Sequence, residues 1–331
     1  MASFKKITVY GAGGDNIGRY ILDALLADPS YEVAVLSRKS SKSKYPSAVN
    51  DLRVSDNLPH DELVNALRGQ DVVISAVGFD NGALETQFGV IDAAIEAGVK
   101  RFLPSEYGFD NAGPKASWLS PVFKIKNDVA QYLDKKAAEN ANFSWTAVAT
   151  SIWLEWALPL NFLGMSCIAI LFSKITETNM TTDIDPKAHT VAYWDNGTHK
   201  PAHTTLSYAA QGVLECLKHP KETKNKRIFM QAFAASQREI VAELEKQQGV
   251  KYTELSPIDG TIAVQNAHQS WEASLHKDQI ARIQTVKAQI LVKEYGTDFV
   301  EAGKKPLLET FVDMPKVTLQ DVVKTVVGKV K

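Results

Sequence analysis

Ile7-Thr8-Val9-Tyr10-Gly11-Ala12-Gly13-Gly14-Asp15-Asn16-Ile17-Gly18 is the stretch on which the reading of this chain turns. A short apolar run, 7–10, ends in a glycine cluster, and beyond it Ile17, Tyr20, Ile21 and Leu25 recur at helical spacing. The pattern is strand, turn, helix. Glycines in such a turn let the backbone bend tightly and approach a pyrophosphate, whose charge is met by free N–H groups at the helix N-terminus. Bare glycines are weak evidence, but these follow the first strand and open an amphipathic helix, which is the context a dinucleotide turn demands. From Gly11 to Gly18 the spacing is one residue longer than the usual GxGxxG or GxxGxxG. Gly11, Ala12, Gly13, Gly14, Asn16, Ile17 and Gly18 are therefore the candidate pyrophosphate residues.

Outward from that turn the alternation continues. The patterns predict strands over 32–36, 71–77, 101–103 and 143–149, and helices over 61–67, 84–97 and from Pro121 to about Glu139. Apolar strands separated by amphipathic helices are the mark of a parallel sheet covered on both faces. The expected fold is α/β: a doubly wound, Rossmann-type NAD(P)-binding domain over 1–155, with a smaller α/β substrate lobe over 156–331, some of whose strands and helices return to the first domain. In that second part the reading gives strands over 190–194 and 227–230 and helices over 207–217, 236–248 and 278–294. Asp195-Asn196-Gly197 suggests a hairpin turn. Residues 218–226 read as a charged, solvated loop. The apolar run 157–172 is interrupted by Pro159, Asn161 and Ser166 and falls short of the roughly 20 residues a membrane span needs. It reads as buried wall, either helix packing or the lining of an apolar ligand pocket.

The bulk properties exclude several functions. The 331 residues carry 37 Lys and Arg against 38 Asp and Glu, a net charge of -1, with 45% hydrophobic and 23% charged residues. No electrostatic case for nucleic acid or an acidic membrane surface follows. Cys167 and Cys216 lie far apart and form no CxxC pair, which fits a reducing compartment. The strand pattern begins at once after Met1-Ala2-Ser3-Phe4-Lys5-Lys6, with no apolar leader ahead of it, so a cytoplasmic protein is expected. Seven histidines occur without HExxH, and no serine sits in a GxSxG elbow, so no metal is expected.

Two signals carry chemistry. An NAD site usually places an acid at the end of the second strand to hold the ribose 2′-hydroxyl. Here the chain offers Ser37-Arg38-Lys39. A guanidinium and an ammonium can clasp a 2′-phosphate by charge-assisted bonds, which favours NADPH, although Lys42 and Lys44 leave a merely solvated basic loop as the other reading. On the Pro121 helix, 100° steps gather Val122, Val129, Ala130, Leu133 and Ala137 on one stripe, and Lys126 falls inside it. An inward lysine must pair, snorkel or lower its pKa, and the last state suits general acid or base work. The same helix holds a competitor: Ser120 with Tyr132 and Lys136 mimics the Ser and Tyr-xxx-Lys set of short-chain dehydrogenases, but Tyr132 points to the flank of the stripe and lies near the helix end.

The strings 71–78 (DVVISAVG) and 98–108 (GVKRFLPSEYG) closely resemble the isoflavone reductase and phenylcoumaran benzylic ether reductase family, NmrA-like atypical short-chain dehydrogenases. The likeness is clear to about residue 157 and faint beyond. Val122-Phe123-Lys124-Ile125-Lys126 looks like the family string that ends in its catalytic lysine, which puts that role on Lys126 a second time. The resemblance also implies the pyrophosphate on Gly11 to Gly18, the 2′-phosphate on Arg38, the adenosine side on Ala76-Val77-Gly78, and an aromatic near the nicotinamide at Trp153. Two positions depart from the family: its second basic residue is Ala130 here, and its Asn before the aromatic is Ser151. The expected function is an NADPH-dependent reductase of a small aromatic or conjugated substrate, with Trp153, Trp156 and Phe162 on an apolar wall. The alternative is a non-catalytic NADP(H) sensor acting through a protein partner. The sequence leaves a homodimer open.

Overall fold

The computed structural model describes residues 4–14, 16–79, 82–112, 114–159, 183–273, 279–295, 298–307 and 312–330. Most of the apolar run 157–172, with Phe162 and Cys167, lies outside the described residues.

The chain divides into two compact units. The first comprises 1–111, 122–149 and 206–229. Its strands are β1 (Lys6–Tyr10), β2 (Glu32–Arg38), β3 (Asn50–Val54), β4 (Val72–Ser75), β5 (Arg101–Leu103) and β6 (Ser144–Ala149), joined much later by β11 (Lys226–Phe229). They form one seven-stranded sheet in the order β11-β6-β5-β4-β1-β2-β3, parallel throughout. The order reverses between β1 and β4, the switch point at whose carboxyl end a doubly wound sheet opens its crevice.

Helix α1 (Ile17–Leu26) buries Ile21, Leu22 and Leu25 and packs against a second helix, 206–218, from far along the chain. A separate core joins β-strand residues Leu36, Val73, Phe102 and Ala147 to Leu63 and Leu67 of α2 (His60–Leu67), Val90 and Ile91 of α3 (Thr86–Glu96), and Val129 and Leu133 of α5 (Pro121–Glu139). Burying these side chains, at about 1.5–3 kcal/mol each, is the main force holding the helices on the sheet. The helix over 17–26 and the strand over 101–103 fall where the periodicity puts them. β3 is a strand the sequence reading did not anticipate.

A charged side chain is buried within the sheet among the described residues. Arg101, only 3% exposed, donates from Nε to Ser144 Oγ (2.7 Å), from Nη1 to Thr146 Oγ1 (2.7 Å) and Thr223 Oγ1 (3.3 Å), and from Nη2 to the Pro220 carbonyl (2.7 Å). Burial pushes its guanidinium down to about 10, so it stays charged at neutral pH. The segment 218–226 is solvated at Lys218, Lys221, Glu222, Lys224, Asn225 and Lys226, as expected, but it also carries two of the acceptors of Arg101, the Pro220 carbonyl and the buried Thr223 hydroxyl. Arg101→Met is expected to lower unfolding stability by about 3 kcal/mol, since it strands several buried acceptors at once. The urea midpoint measures this, and an unchanged midpoint would show the network to be dispensable.

The second unit comprises 112–121, 150–205 and 230–331. It holds α4 (Pro114–Leu119), α6 (Leu154–Ala157) and two small sheets. β7 (Ile152–Trp153), β10 (Ala202–Thr204) and β12 (Phe233–Ala234) make one, and β8 (Ile184–Asp185), β9 (Thr190–Val191) and β13 (Thr253–Glu254) the other. The Asp-Asn-Gly turn forms, with Asp195 at φ 53° and Gly197 at φ 69°, but it joins no hairpin. The strands on either side of it, β9 and β10, belong to different sheets, and the Asp195 carboxylate instead accepts from the Gly260 amide (2.8 Å). Helix α7 (Leu206–Lys218) returns to the first unit, and four helices pack in pairs within the second: α8 (Gln237–Gln248) with α11 (Leu319–Val330), and α9 (Gly260–Ala273) with α10 (Gln279–Leu291). α8 starts in a capping box between Ser236 and Glu239 and stops at Gly249, in the left-handed conformation. Among the described residues no helix is long and apolar enough to cross a membrane.

Candidate active site

The first turn of the chain and the turn after β4 meet closely. The Ala76 amide donates to the Tyr10 carbonyl (2.6 Å), and Gly11 sits at φ 100°. A Cβ on Gly11 would lie 2.7 Å from the Ala76 carbonyl carbon and oxygen, and one on Gly18 would lie 2.5 Å from the Gly11 oxygen. Both glycines are required by backbone contact, which is the physical content of the glycine pattern. Asn16 caps α1, its Oδ1 accepting from the Gly18 amide (3.0 Å), and Ile17 begins the helix. Among the described residues nothing accepts from the amides of Gly13 and Gly14.

A cleft of about 400 Å³ opens here. Gly11, Ala12, Gly13 and Gly14 form one wall, Val77 and Gly78 another, and Ser37, Arg38, Ser41, Ser43 and Tyr45 a third, with Tyr10, Thr86 and Asp56 also lining it. Ala76 is buried beneath it. Arg38 ends β2 with its side chain exposed, and among the described residues no acid pairs with its guanidinium. Of the two basic residues read from the sequence, only Arg38 lines the cleft. Lys39 donates to Ser55 Oγ (3.1 Å) and pairs with Glu62 (3.2 Å). Asp56, the acid on the cleft, accepts from the Ser40 amide (3.1 Å). A dinucleotide with a 2′-phosphate fits these residues: backbone amides without acceptors among the described residues, a turn that any Cβ would obstruct, and a guanidinium held in no ion pair among them.

Beside the carboxyl end of β5 the same unit holds Lys126. The residue is partly buried on α5, within the apolar stripe, while the stripe's opposite face, with Lys124, Gln131 and Lys135, is exposed. Its Nζ donates a short hydrogen bond to the Glu106 carbonyl. Burial holds the ammonium below the ordinary lysine value, against the opposing pull of the Glu106 carboxylate. That carboxylate is itself occupied: Oε2 accepts from Asn111 Nδ2 (2.7 Å), and Oε1 pairs with Arg227 (3.1 Å), which also approaches Asp110 (3.6 Å). The turn carrying Glu106 is fixed to the cleft wall, because Ser105 Oγ donates to the Val77 carbonyl (2.7 Å) and the Ser105 amide to Gln87 Oε1 (2.8 Å).

The sequence reading missed Glu106, Asn111 and Arg227 as partners. Glu106 lay inside a quoted string, but nothing local tied it to a residue 121 positions later.

Ser151 and Trp153 belong to the second unit. Ser151, at φ 54°, donates to the Ala202 carbonyl (2.5 Å), and Trp153 Nε1 donates to Thr150 Oγ1 (3.0 Å). Trp153 also meets Trp156 edge to face at 5.9 Å. The competing Tyr132 and Lys136 serve structure: Tyr132 Oη donates to Asp92 (2.7 Å), Lys136 pairs with the same carboxylate (2.7 Å), and Phe88 packs edge-on against the Tyr132 ring. Burial and the Asp92 carboxylate raise the phenol pKa against the opposing pull of Lys136, the wrong direction for a proton donor near neutral pH.

A model of the NmrA-like family matches residues 3–273. An oxidoreductase, aprR, of Aspergillus flavus is 34% identical over 298 residues, covering 89% of this chain and 90% of that one. Phenylcoumaran benzylic ether reductase Pyrc5 of Pyrus communis is 35% identical over 178 residues, 50% of this chain and 55% of the relative. Among solved structures, AtPrR2 with NADP+ and (+)-pinoresinol superposes with a TM-score of 0.69 at 19% identity, covering 98% of this chain and 100% of that one. At that identity it speaks for the fold.

Proposed function

The chain belongs to the NmrA-like family, and from that premise we propose that it is an NADPH-dependent oxidoreductase that reduces a small aromatic or conjugated substrate, with Lys126 as the proton-transferring group. The observation that carries the reading is the enclosed Lys126 ammonium, held on the Glu106 carbonyl in the same unit as the glycine-lined cleft. A relative named as an oxidoreductase, another named as a benzylic ether reductase, and a structure of the same fold with NADP+ and pinoresinol support it.

When bound, NADPH supplies a hydride from its nicotinamide ring. The chain's own part is to bind, orient and move a proton. Gly11 to Gly14, with the N-terminus of α1 at Asn16, Ile17 and Gly18, would hold the pyrophosphate, and Arg38 the 2′-phosphate. Val77 and Gly78, over Ala76, would hold the adenosine side. Lys126 would give a proton to a substrate oxygen, or take one from it, from its place on the Glu106 carbonyl. The family resemblance brings Trp153 to the nicotinamide end, Ser151 would bind from the position where the family has its Asn, and Lys39, read from the end of the second strand, would add a second positive charge near the phosphate.

The test is turnover. NADPH consumption over a panel of phenylpropanoid-like and quinone substrates is expected to exceed consumption without substrate for at least one class, and NADPH to bind more tightly than NADH by calorimetry. Tight NADPH binding with no consumption on any substrate, together with a stable protein partner, would replace the enzyme by a sensor.

A further inference from the structure

We propose that Arg53, which does not line the cleft, is the positioning residue for 2′-phosphate recognition: it staples the segment 38–45 into the wall that faces the glycine turn. The inference rests on the NADPH reading above and adds to it a residue that touches no coenzyme.

Arg53 lies on β3, half-buried. All three of its guanidinium nitrogens are used. Nε donates to Asp51 Oδ2 (2.7 Å), and Nη2 lies 2.6 Å from the same oxygen. Nη1 donates to the Arg38 carbonyl (3.1 Å) and the Ser41 carbonyl (2.7 Å), and Nη2 to the Ser43 carbonyl (3.1 Å). One side chain thus gathers the backbone carbonyls of three residues, each of which lines the cleft. Only a rigid planar fork can do so, and a lysine would offer one point of attachment.

The rest of the segment's ordering is polar. Ser40, Ser41, Lys42, Ser43 and Lys44 bring no apolar anchor. Further polar bonds complete the wall: Ser43 Oγ donates to the Gly13 carbonyl (3.0 Å), the Ser40 amide to Asp56 (3.1 Å), the Ser41 amide to the Arg38 carbonyl (3.0 Å) and the Ser43 amide to Ser41 Oγ (3.3 Å), and the Ser37 and Tyr45 hydroxyls share a hydrogen bond (3.2 Å). Without Arg53 three backbone anchors are lost and part of the segment's ordering falls to the ligand, which costs affinity. Asp51 neutralises the guanidinium locally, so Arg53 acts on the phosphate through the shape of the wall rather than through its own charge.

Calorimetry with NADPH and with NADH on the wild type, Arg53→Lys and Arg53→Leu separates these contributions, with thermal melting to verify folding. Arg53→Lys keeps the charge and loses the fork; it is expected to bind NADPH about tenfold more weakly while NADH affinity stays within about twofold. Arg53→Leu is expected to lose more, and should it fail to fold, the lysine variant carries the test alone. A folded Arg53→Lys that binds NADPH like the wild type, or that loses NADPH and NADH in equal measure, overturns the proposal. A wild type that does not distinguish the two coenzymes would instead overturn the NADPH reading on which it rests.

Discussion

Lys126→Met is expected to lower kcat by about a thousandfold, within the range removal of a general acid or base produces, while Tyr132→Phe leaves kcat within about twofold. Methionine keeps the length and apolar character of the stem, so packing within the stripe of Val122, Val129 and Leu133 is retained and the loss reports the ammonium. NADPH affinity should change little, because Arg38 and the glycine turn, not Lys126, line the cleft. The pH dependence has a definite sign. The ammonium is the proton donor, and burial lowers its pKa. Activity in the reductive direction is therefore full below that lowered pKa and lost as pH rises through it, at a lower pH than an ordinary lysine would give. For a reaction in which Lys126 must accept the proton, the limb inverts. A Met variant as active as the wild type would remove Lys126 from the mechanism. Loss in Tyr132→Phe instead would restore the Tyr-xxx-Lys reading, despite the bond from Tyr132 to Asp92.

What could be read from the sequence was what is local. The β1 strand, the glycine turn and α1 follow one another without interruption, so period, turn residues and helix cap are all legible in twelve residues or so. The stripe on α5 was legible for the same reason, and with it the inward placement of Lys126. Where the sheet partner or the acceptor comes from far along the chain, the pattern falls silent. β3 presents only Leu52 and Val54 as apolar residues, alternating with Asp51 and Arg53, and as an edge strand it needs no more. Nothing in that spacing singles out Arg53. Segment 218–226 looked solvated because its composition is charged, yet one threonine and one carbonyl within it satisfy Arg101. The Asp195 turn was read correctly as a turn and wrongly as a hairpin, because turn chemistry fixes the bend but not which strands pair after it. Arg227 reaches Glu106 only because β11 returns to the edge of the sheet beside β6, a placement decided by the whole fold.

The second large effect is in the coenzyme cleft. Arg38→Leu is expected to weaken NADPH binding about a hundredfold, roughly the value of two charge-assisted hydrogen bonds, and to leave NADH binding within about threefold. The asymmetry is the point of the measurement: a defect in folding or in the glycine turn would weaken both coenzymes, whereas loss of a 2′-phosphate partner weakens one. Arg38 is suited to that part because its guanidinium faces the cleft without a carboxylate of its own among the described residues, so no ion pair has to be broken on binding. Lys39 is placed differently. Its ammonium already pairs with Glu62 and bonds Ser55, so Lys39→Ala should change NADPH affinity by less than about threefold, through long-range charge alone. Raising the salt concentration should erode the wild-type preference for NADPH and leave the Arg38→Leu variant almost unaffected. If Arg38→Leu and Lys39→Ala instead lose equally, the Glu62 pair must open when the coenzyme binds, and the phosphate site is built from both cations.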